Sequence, residues 1–313
     1  MASPENPQFD PQTSLGGDPL TSAANNPNTM PAVVEGTSPS LITQPLVHPS
    51  ENPVWNGWDV LVVVGLALIT IFVFQIAILF AAHYLLYPHA KLAELAQRPI
   101  LLLISQFLVD SAVVAFLVLV VEGKYHEPFW RTIRWNWPRT LWGMLALGAA
   151  TYIGLTALGS LLPMPKDTPF QKLFDSRRDA YLLALIATTL GPLMEELFFR
   201  GFLYPVLVRR LELFFRGFFN SDAAKRWGIG WAIFLSALPF ALLHMQQYGY
   251  AWGILVVIFG VGVVCGIARA VTGSVGAAFL VHAGYNGTQM LIAVAVTRGF
   301  THMPKGMIQL GRW

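Results

Sequence analysis

The sequence has few charged residues, and this shortage narrows the kinds of protein that it can encode. Asp, Glu, Lys and Arg make up 12% of the 313 residues, whereas 55% are hydrophobic. Soluble domains carry about 25% charged residues, and a charge at the centre of a bilayer is costly. The composition therefore favours an integral membrane protein. The net charge of +3, without a run of Lys or Arg, indicates no nucleic-acid partner.

Cysteine is almost absent as well, because Cys265 is the single one in the chain. An intramolecular disulfide and a Cys-x-x-Cys metal site are thereby excluded. Cys265 stands in the apolar run Val-Val-Cys-Gly-Ile-Ala, where a free cysteine packs as a small apolar side chain. We interpret it as a core residue rather than a nucleophile.

The first 54 residues contain no Lys or Arg, so they lack the basic start of a cleaved signal peptide. Ten of the 21 prolines fall here, together with many Ser, Thr, Asn and Gly residues. Such a segment buries too little apolar surface to offset the entropy of ordering it. We expect residues 1–54 to form a disordered Pro-rich tail and residues 298–313 to form a second, short tail.

Long apolar runs follow Trp55, and a helix that crosses a bilayer needs about 20 such residues. The fourth run contains Gly191-Pro192, where a kink is expected, so it could form one segment or two. The sequence predicts an all-α, polytopic transmembrane helix bundle of seven or eight spans in a plasma membrane or bacterial inner membrane. Candidate spans lie near residues 60–86, 99–121, 140–162, 180–211, 228–247, 251–270 and 274–297.

Polar side chains inside the late spans need an explanation, since they are costly in lipid. Glu196 and Arg200 are four residues apart and can pair on one helix face. Glu195 is rotated by about 100° from Glu196 and is left to face elsewhere. One Arg cannot neutralise two carboxylates, so interhelical hydrogen bonding alone is a poor explanation. The set comprises Glu195, Glu196, His244, His282 and Asn286.

Asp110 also lies within a candidate span, in Gln-Phe-Leu-Val-Asp-Ser-Ala. Gln106 and Ser111 are nearby polar neighbours, and no spacing connects Asp110 with the later set. We therefore interpret Asp110 as structural.

These residue types together suit the activation of water. A carboxylate in an apolar pocket can act as a general base near neutral pH. Imidazole can hold water or bind a metal, and an Asn amide or a second His can donate hydrogen bonds to an oxyanion. Neither a G-x-S-x-G elbow nor an H-E-x-x-H motif is present. Glu195, His244 and His282 could instead hold a divalent metal such as zinc, so the cofactor stays open.

Three short motifs resemble those of the CPBP family, which includes the CAAX proteases, the bacteriocin-processing enzymes and the abortive-infection (Abi) proteins. Glu195-Glu196-Leu-Phe-Phe-Arg200 resembles its E-E-x-x-x-R motif. Phe240-Ala-Leu-Leu-His244 resembles F-x-x-x-H, and His282-Ala-Gly-Tyr-Asn286 resembles H-x-x-x-N. The motifs occur in the family's order, with apolar helices between them.

The resemblance implies an intramembrane endopeptidase core over residues 140–297, preceded by transmembrane helices in 55–139. It implies that Glu195 activates water, that His244 helps to bind it, and that His282 and Asn286 stabilise the oxyanion. Phe240 and the pair Glu196–Arg200 would support the site. Family members are described both as metalloproteases and as metal-free, glutamate-dependent enzymes. The implied partners are the lipid bilayer and a membrane-embedded or lipid-modified peptide substrate.

A second interpretation is a membrane protein without catalysis, in which the same cluster binds or transports a small ligand or protons. Transporters often contain internal repeats with paired broken helices, and we find no convincing repeat between the two halves. A purely structural scaffold is the third interpretation.

Overall fold

The computed structural model describes residues 51–165, 174 and 176–302. Within these ranges all regular structure is helical, and seven helical segments are long and apolar enough to cross a membrane. The predicted all-α polytopic bundle is thus confirmed, with seven spans rather than eight. The expected disorder of residues 1–50 and the tail at 303–313 lie outside the described residues.

Eleven α-helices are present in the described ranges, and three π-helical segments extend or join them. The π-helical segments are Ala82–Leu86, Leu119–Lys124 and Leu197–Leu203. The α-helices are α1 (Gly57–Ala81), α2 (Leu92–Leu95), α3 (Pro99–Val118), α4 (Phe129–Thr132), α5 (Leu141–Gly159), α6 (Arg177–Thr188), α7 (Leu190–Glu196), α8 (Tyr204–Phe215), α9 (Ser221–Leu243), α10 (Trp252–Thr272) and α11 (Val275–Val296).

The fourth span is one irregular segment, Arg177–Phe215, that contains α6, α7, a π-helical segment and α8. The helical conformation is interrupted at Thr189, whose φ of −126° and ψ of −77° are not helical. Pro192 has no N–H to offer the carbonyl four residues earlier, and its ring crowds that carbonyl. The kink expected at Gly191-Pro192 therefore lies just before this pair.

Helix α11 lies at the centre of the C-terminal half, where it packs against α5, α6, α7 and α10. Two glycines allow α5 and α11 to approach closely. A Cβ atom on Gly148 would lie 2.2 Å from the carbonyl oxygen of Val281, and one on Gly284 would lie 2.5 Å from that of Leu145. This close crossing fixes the part of α11 that carries His282.

Helix α1 presents apolar side chains outward, as expected of a helix in contact with lipid. Leu61, Ile69 and Phe72 are each at least 60% exposed. Its opposite face contributes Val60 and Val63 to a buried cluster with α3 and the π-helical segment Leu197–Leu203. The N-terminal spans are thus attached to the element that follows Glu196.

Glu51, the first residue that the structure describes, falls within the segment expected to be a disordered tail. Its carboxylate accepts two hydrogen bonds from the buried Arg269, at 2.7 and 3.1 Å, and one from Arg134 at 3.3 Å. Trp55 stacks on Phe202 and donates from Nε1 to the Phe202 carbonyl at 2.9 Å. Residues 51–54, assigned above to a disordered tail, are therefore held against the bundle.

Candidate active site

A cavity of about 1240 Å³ lies among helices α1, α3, α5, α6, α7, α9, α10 and α11. Glu195, His244, His282 and Asn286 all line it. The four residues come from two helices, α7 and α11, and from the end of a third, α9, so their convergence is a property of the fold. It satisfies the first geometric requirement for a shared reactive centre.

The two adjacent glutamates have different environments because they lie on different faces of α7. Glu196 is fully buried, whereas the Glu195 side chain is 28% exposed and faces the cavity. Glu195 Oε1 lies 3.9 Å from His244 Nε2, and Oε2 lies 3.8 Å from His282 Nε2. These distances are too long for direct hydrogen bonds, and such gaps are commonly bridged by water.

Glu196 organises a buried network beneath Glu195. Its Oε1 accepts a hydrogen bond from Arg200 Nη1 at 3.0 Å and lies 2.9 Å from His282 Nδ1. Arg200 Nη2 also donates to the carbonyl of Gly262 at 2.6 Å. The spacing of Glu196 and Arg200 predicts their pairing, and the structure shows it. The network fixes the orientation of the His282 ring.

Gly262 allows this network to form because α9 and α10 are close there. A Cβ atom at Gly262 would lie 3.0 Å from Ala237 and 3.1 Å from the Phe240 ring, both on α9. Four residues on, a Cβ at Gly266 would lie 2.9 Å from Ile233. The small residues thus let the Gly262 carbonyl reach Arg200.

His244 ends α9 and is oriented by its own helix. Its Nδ1 lies 2.8 Å from the Phe240 carbonyl, which can only accept a hydrogen bond. Nδ1 therefore carries the proton in the neutral ring, and Nε2 presents a lone pair towards Glu195. The Phe240 ring packs at 5.2 Å from the His244 ring and at 5.6 Å from the His282 ring. The same apolar ring therefore contacts both imidazoles.

The π-helical segment Leu197–Leu203 starts directly after Glu196 and contains Arg200. Such wide turns within α-helices are rare and frequent at functional sites. Phe199 and Phe202 of this segment are buried, with Phe199 packed edge-on against Phe240. Glu195 and Glu196 therefore lie where the α-helical geometry of α7 changes to π-helical geometry.

Asn286 lies one helical turn after His282 on α11. Its Nδ2 donates to the Ala187 carbonyl at 2.7 Å. This carbonyl belongs to the end of α6, just before the break at Thr189. Asn286 therefore joins α11 to the start of the irregular segment while its side chain lines the cavity.

Asp110, interpreted above as a structural residue, faces the cavity. It projects from α3, lines the same cavity as Glu195, and is near enough to Glu195 and His244 to interact with both electrostatically. No signal in the sequence could place it there, because α3 and α7 are joined by more than 70 residues. The prediction that Asp110 has only a structural role is therefore incomplete.

Two donor sets can be compared with the needs of a metal. Glu196, Cys265 and His282 offer atoms within 4.8 Å of one another, but Arg200 already pairs with Glu196 and all three are buried. A catalytic metal needs an open position, so this set fits poorly. Glu195, His244 and His282 face the cavity and are the ligand types of a two-histidine, one-carboxylate zinc site. The second set, which the sequence analysis gave as the possible metal ligands, therefore has the donor types that a zinc site uses.

The fold and the site together define a polytopic membrane protein with a Glu, His and Asn cluster that faces an internal cavity. Residues 212–288 match a family described as Type II CAAX prenyl endopeptidase Rce1-like. This match confirms the resemblance to the CPBP family and indicates a CAAX-type intramembrane protease, which is a peptide hydrolase. The matched range contains His244, His282 and Asn286 and begins after the glutamates. No curated protein and no solved structure matches the chain.

Proposed function

We propose that this protein is an intramembrane endopeptidase that uses water activated by Glu195 to hydrolyse a peptide bond of a membrane-embedded or lipid-modified substrate. The observation that carries the proposal is the position of Glu195, with one carboxylate oxygen towards His244 Nε2 and the other towards His282 Nε2. Both gaps exceed direct hydrogen-bond length, so each pair of groups can be linked through a water molecule.

Water bound between Glu195 and His244 would give a proton to Glu195 and attack the scissile carbonyl carbon. The lone pair on His244 Nε2 accepts a hydrogen bond from this water and holds it in place. The protonated Glu195 then passes the proton to the leaving amine, so one carboxylate serves as base and as acid.

His282 and Asn286 would stabilise the oxyanion. Nδ1 of His282 faces the Glu196 carboxylate, so the ring donates from Nε2 only as an imidazolium. Asn286 uses one N–H of its amide for the Ala187 carbonyl and has a second to offer the substrate.

A metal is compatible with the same residues. Glu195, His244 and His282 would hold it, and when bound it would polarise the scissile carbonyl and the attacking water. Element analysis of the purified protein, followed by activity measurements with and without a chelator, would distinguish the metal-dependent from the glutamate-dependent mechanism.

The direct test is Glu195→Gln in the full-length protein, assayed with a lipid-embedded peptide substrate. We expect kcat to fall by about 10²–10⁴-fold, the range for a lost general base. Glu127→Gln, which makes the same change at an exposed residue outside the cavity, is the matched control. Cleavage by Glu195→Gln at the wild-type rate would contradict the proposed role.

A further inference from the structure

Gln289 lies on the same face of α11 as the two proposed oxyanion donors. It follows Asn286 by three residues and His282 by seven, and two turns of an α-helix take about seven residues. All three side chains line the cavity. Of the cavity glutamines that the structure describes, Gln289 is the one that α11 carries. The polar face that begins at His282 therefore extends one turn beyond Asn286.

The side-chain amide of Gln289 is available to a ligand. Its neighbours on α11 are engaged, since Asn286 donates to the Ala187 carbonyl and Thr288 donates to the Gly284 carbonyl. The Gln289 amide has no hydrogen-bond partner among the residues that the structure describes. Because Gln289 is half-buried on the cavity wall, a molecule in the cavity can reach this amide.

The wall around Gln289 is largely apolar. Met290, which follows it, and Ala293, one turn later, belong to a buried cluster with Leu183 of α6, and all three line the cavity. A primary amide offers both a hydrogen-bond donor and an acceptor, and a peptide unit presents the same two groups. In an apolar wall such an amide can bind the main chain of a peptide whatever its side chains are.

The position of Gln289 along α11 defines which part of a substrate it can contact. At about 1.5 Å per residue, it lies about 4.5 Å beyond Asn286 and about 10.5 Å beyond His282 along the helix axis. An extended peptide advances about 3.3 Å per residue. A substrate that runs along α11, with its scissile carbonyl between His282 and Asn286, therefore reaches Gln289 about two or three residues from the scissile bond.

We propose that Gln289 is a substrate-binding residue, whose amide hydrogen-bonds the main chain of an extended peptide about two or three residues from the scissile bond. This inference rests on the proposed peptidase function and adds a contact through which that site holds its substrate. The contact is remote from the reacting atoms, so it stabilises the bound substrate and the transition state alike. Its loss should raise KM and leave kcat nearly unchanged.

The test uses the purified full-length protein in vesicles with a farnesylated peptide and a series of ester analogues. Each analogue has one main-chain amide, other than the scissile bond, replaced by an ester, which lacks the N–H and is a weaker acceptor. For the wild type we expect an ester about two or three residues from the scissile bond to lower kcat/KM roughly fivefold, the effect of one hydrogen bond.

The same series is measured with Gln289→Met and with the control Thr288→Val. Met keeps the length of the Gln side chain without its amide, and Thr288 is the adjacent residue that does not line the cavity. In Gln289→Met the ester that affects the wild type should be cleaved within about twofold of the all-amide parent. Thr288→Val should retain the wild-type difference. Ratios between peptides within one variant do not depend on how much of that variant folds.

A wild type that is insensitive to every ester in this range would overturn the inference, even if Gln289→Met fails to fold. An ester effect that persists unchanged in Gln289→Met would overturn it as well, because the contact would then belong to another residue. Failure of the wild type to cleave the all-amide parent contradicts the proposed peptidase function itself, and is distinguishable from cleavage that does not depend on Gln289.

Discussion

Nδ1 of His282 and Oε1 of Glu196 lie 2.9 Å apart in the buried centre of the bundle. The same oxygen accepts a hydrogen bond from Arg200. A single carboxylate oxygen thus connects the imidazole that faces the cavity with the guanidinium that faces the protein interior. We therefore expect Glu196 to contribute mainly to stability, whereas the proposed chemistry belongs to its neighbour Glu195.

We expect Glu196→Gln to reduce the free energy of unfolding by about 3–5 kcal/mol, because it leaves the buried Arg200 guanidinium without a counter-charge. Thermal unfolding in detergent would measure this loss. The double variant Glu196→Gln with Arg200→Met should lose less than the sum of the two single variants. Additive losses would show that the pair is not energetically coupled.

Gly148→Ala should separate α5 from α11, since the new Cβ would meet the Val281 carbonyl at 2.2 Å. We expect both stability and peptidase activity to fall, because His282 is adjacent to Val281. Gly154→Ala is the matched control on the same helix, where a Cβ would have no neighbour within 4 Å. Equal behaviour of the two variants would argue against a close helix crossing.

Trp55 offers a graded test of the N-terminal contact. Trp55→Phe keeps a ring against Phe202 but loses the Nε1 hydrogen bond, and should cost about 0.5–1.5 kcal/mol of stability. Trp55→Ala should cost about 3–5 kcal/mol, the usual range for removal of a buried aromatic side chain. Chemical denaturation would order the variants, and an unaffected Trp55→Ala would show that this contact contributes little.

Cys265→Ala distinguishes a core thiol from a reactive one. Cys265 is fully buried near Glu196 and His282, and it does not line the cavity that Glu195 faces. We expect peptidase activity close to that of the wild type and only a modest fall in melting temperature. A loss of activity as large as that of Glu195→Gln would assign the thiol a role in the reaction.

Local spacing in the sequence predicts those features that depend on one helix. The pair Glu196–Arg200 follows from a separation of four residues, and the different environment of Glu195 follows from a rotation of one residue. The irregular fourth span is predicted by Gly191-Pro192, although the break lies at Thr189. The lengths of the apolar runs predict seven or eight spans, because each span needs about 20 apolar residues to cross the bilayer.

Contacts between distant segments could not be predicted in the same way. Glu51 and Arg269 are 218 residues apart and stand in segments with no shared pattern, yet they form a buried ion pair. Asp110 reaches the cavity through the packing of α3 against α7. Cys265 stands in an apolar run, and nothing in that run indicates that a carboxylate packs beside it. Such relationships depend on tertiary structure rather than on local spacing.

The π-helical segment Leu197–Leu203 also has a consequence for changes in chain length. A wide turn of this kind corresponds to one residue more than an α-helix would use, and each residue of a helix turns the chain by about 100°. Deleting one residue there would restore regular winding but rotate α8 relative to α7. Tyr204 and Val208 of α8 would then leave their packing with Ile229 and Ala232 of α9. The length of this segment is therefore expected to be fixed among functional variants, even where its side chains change.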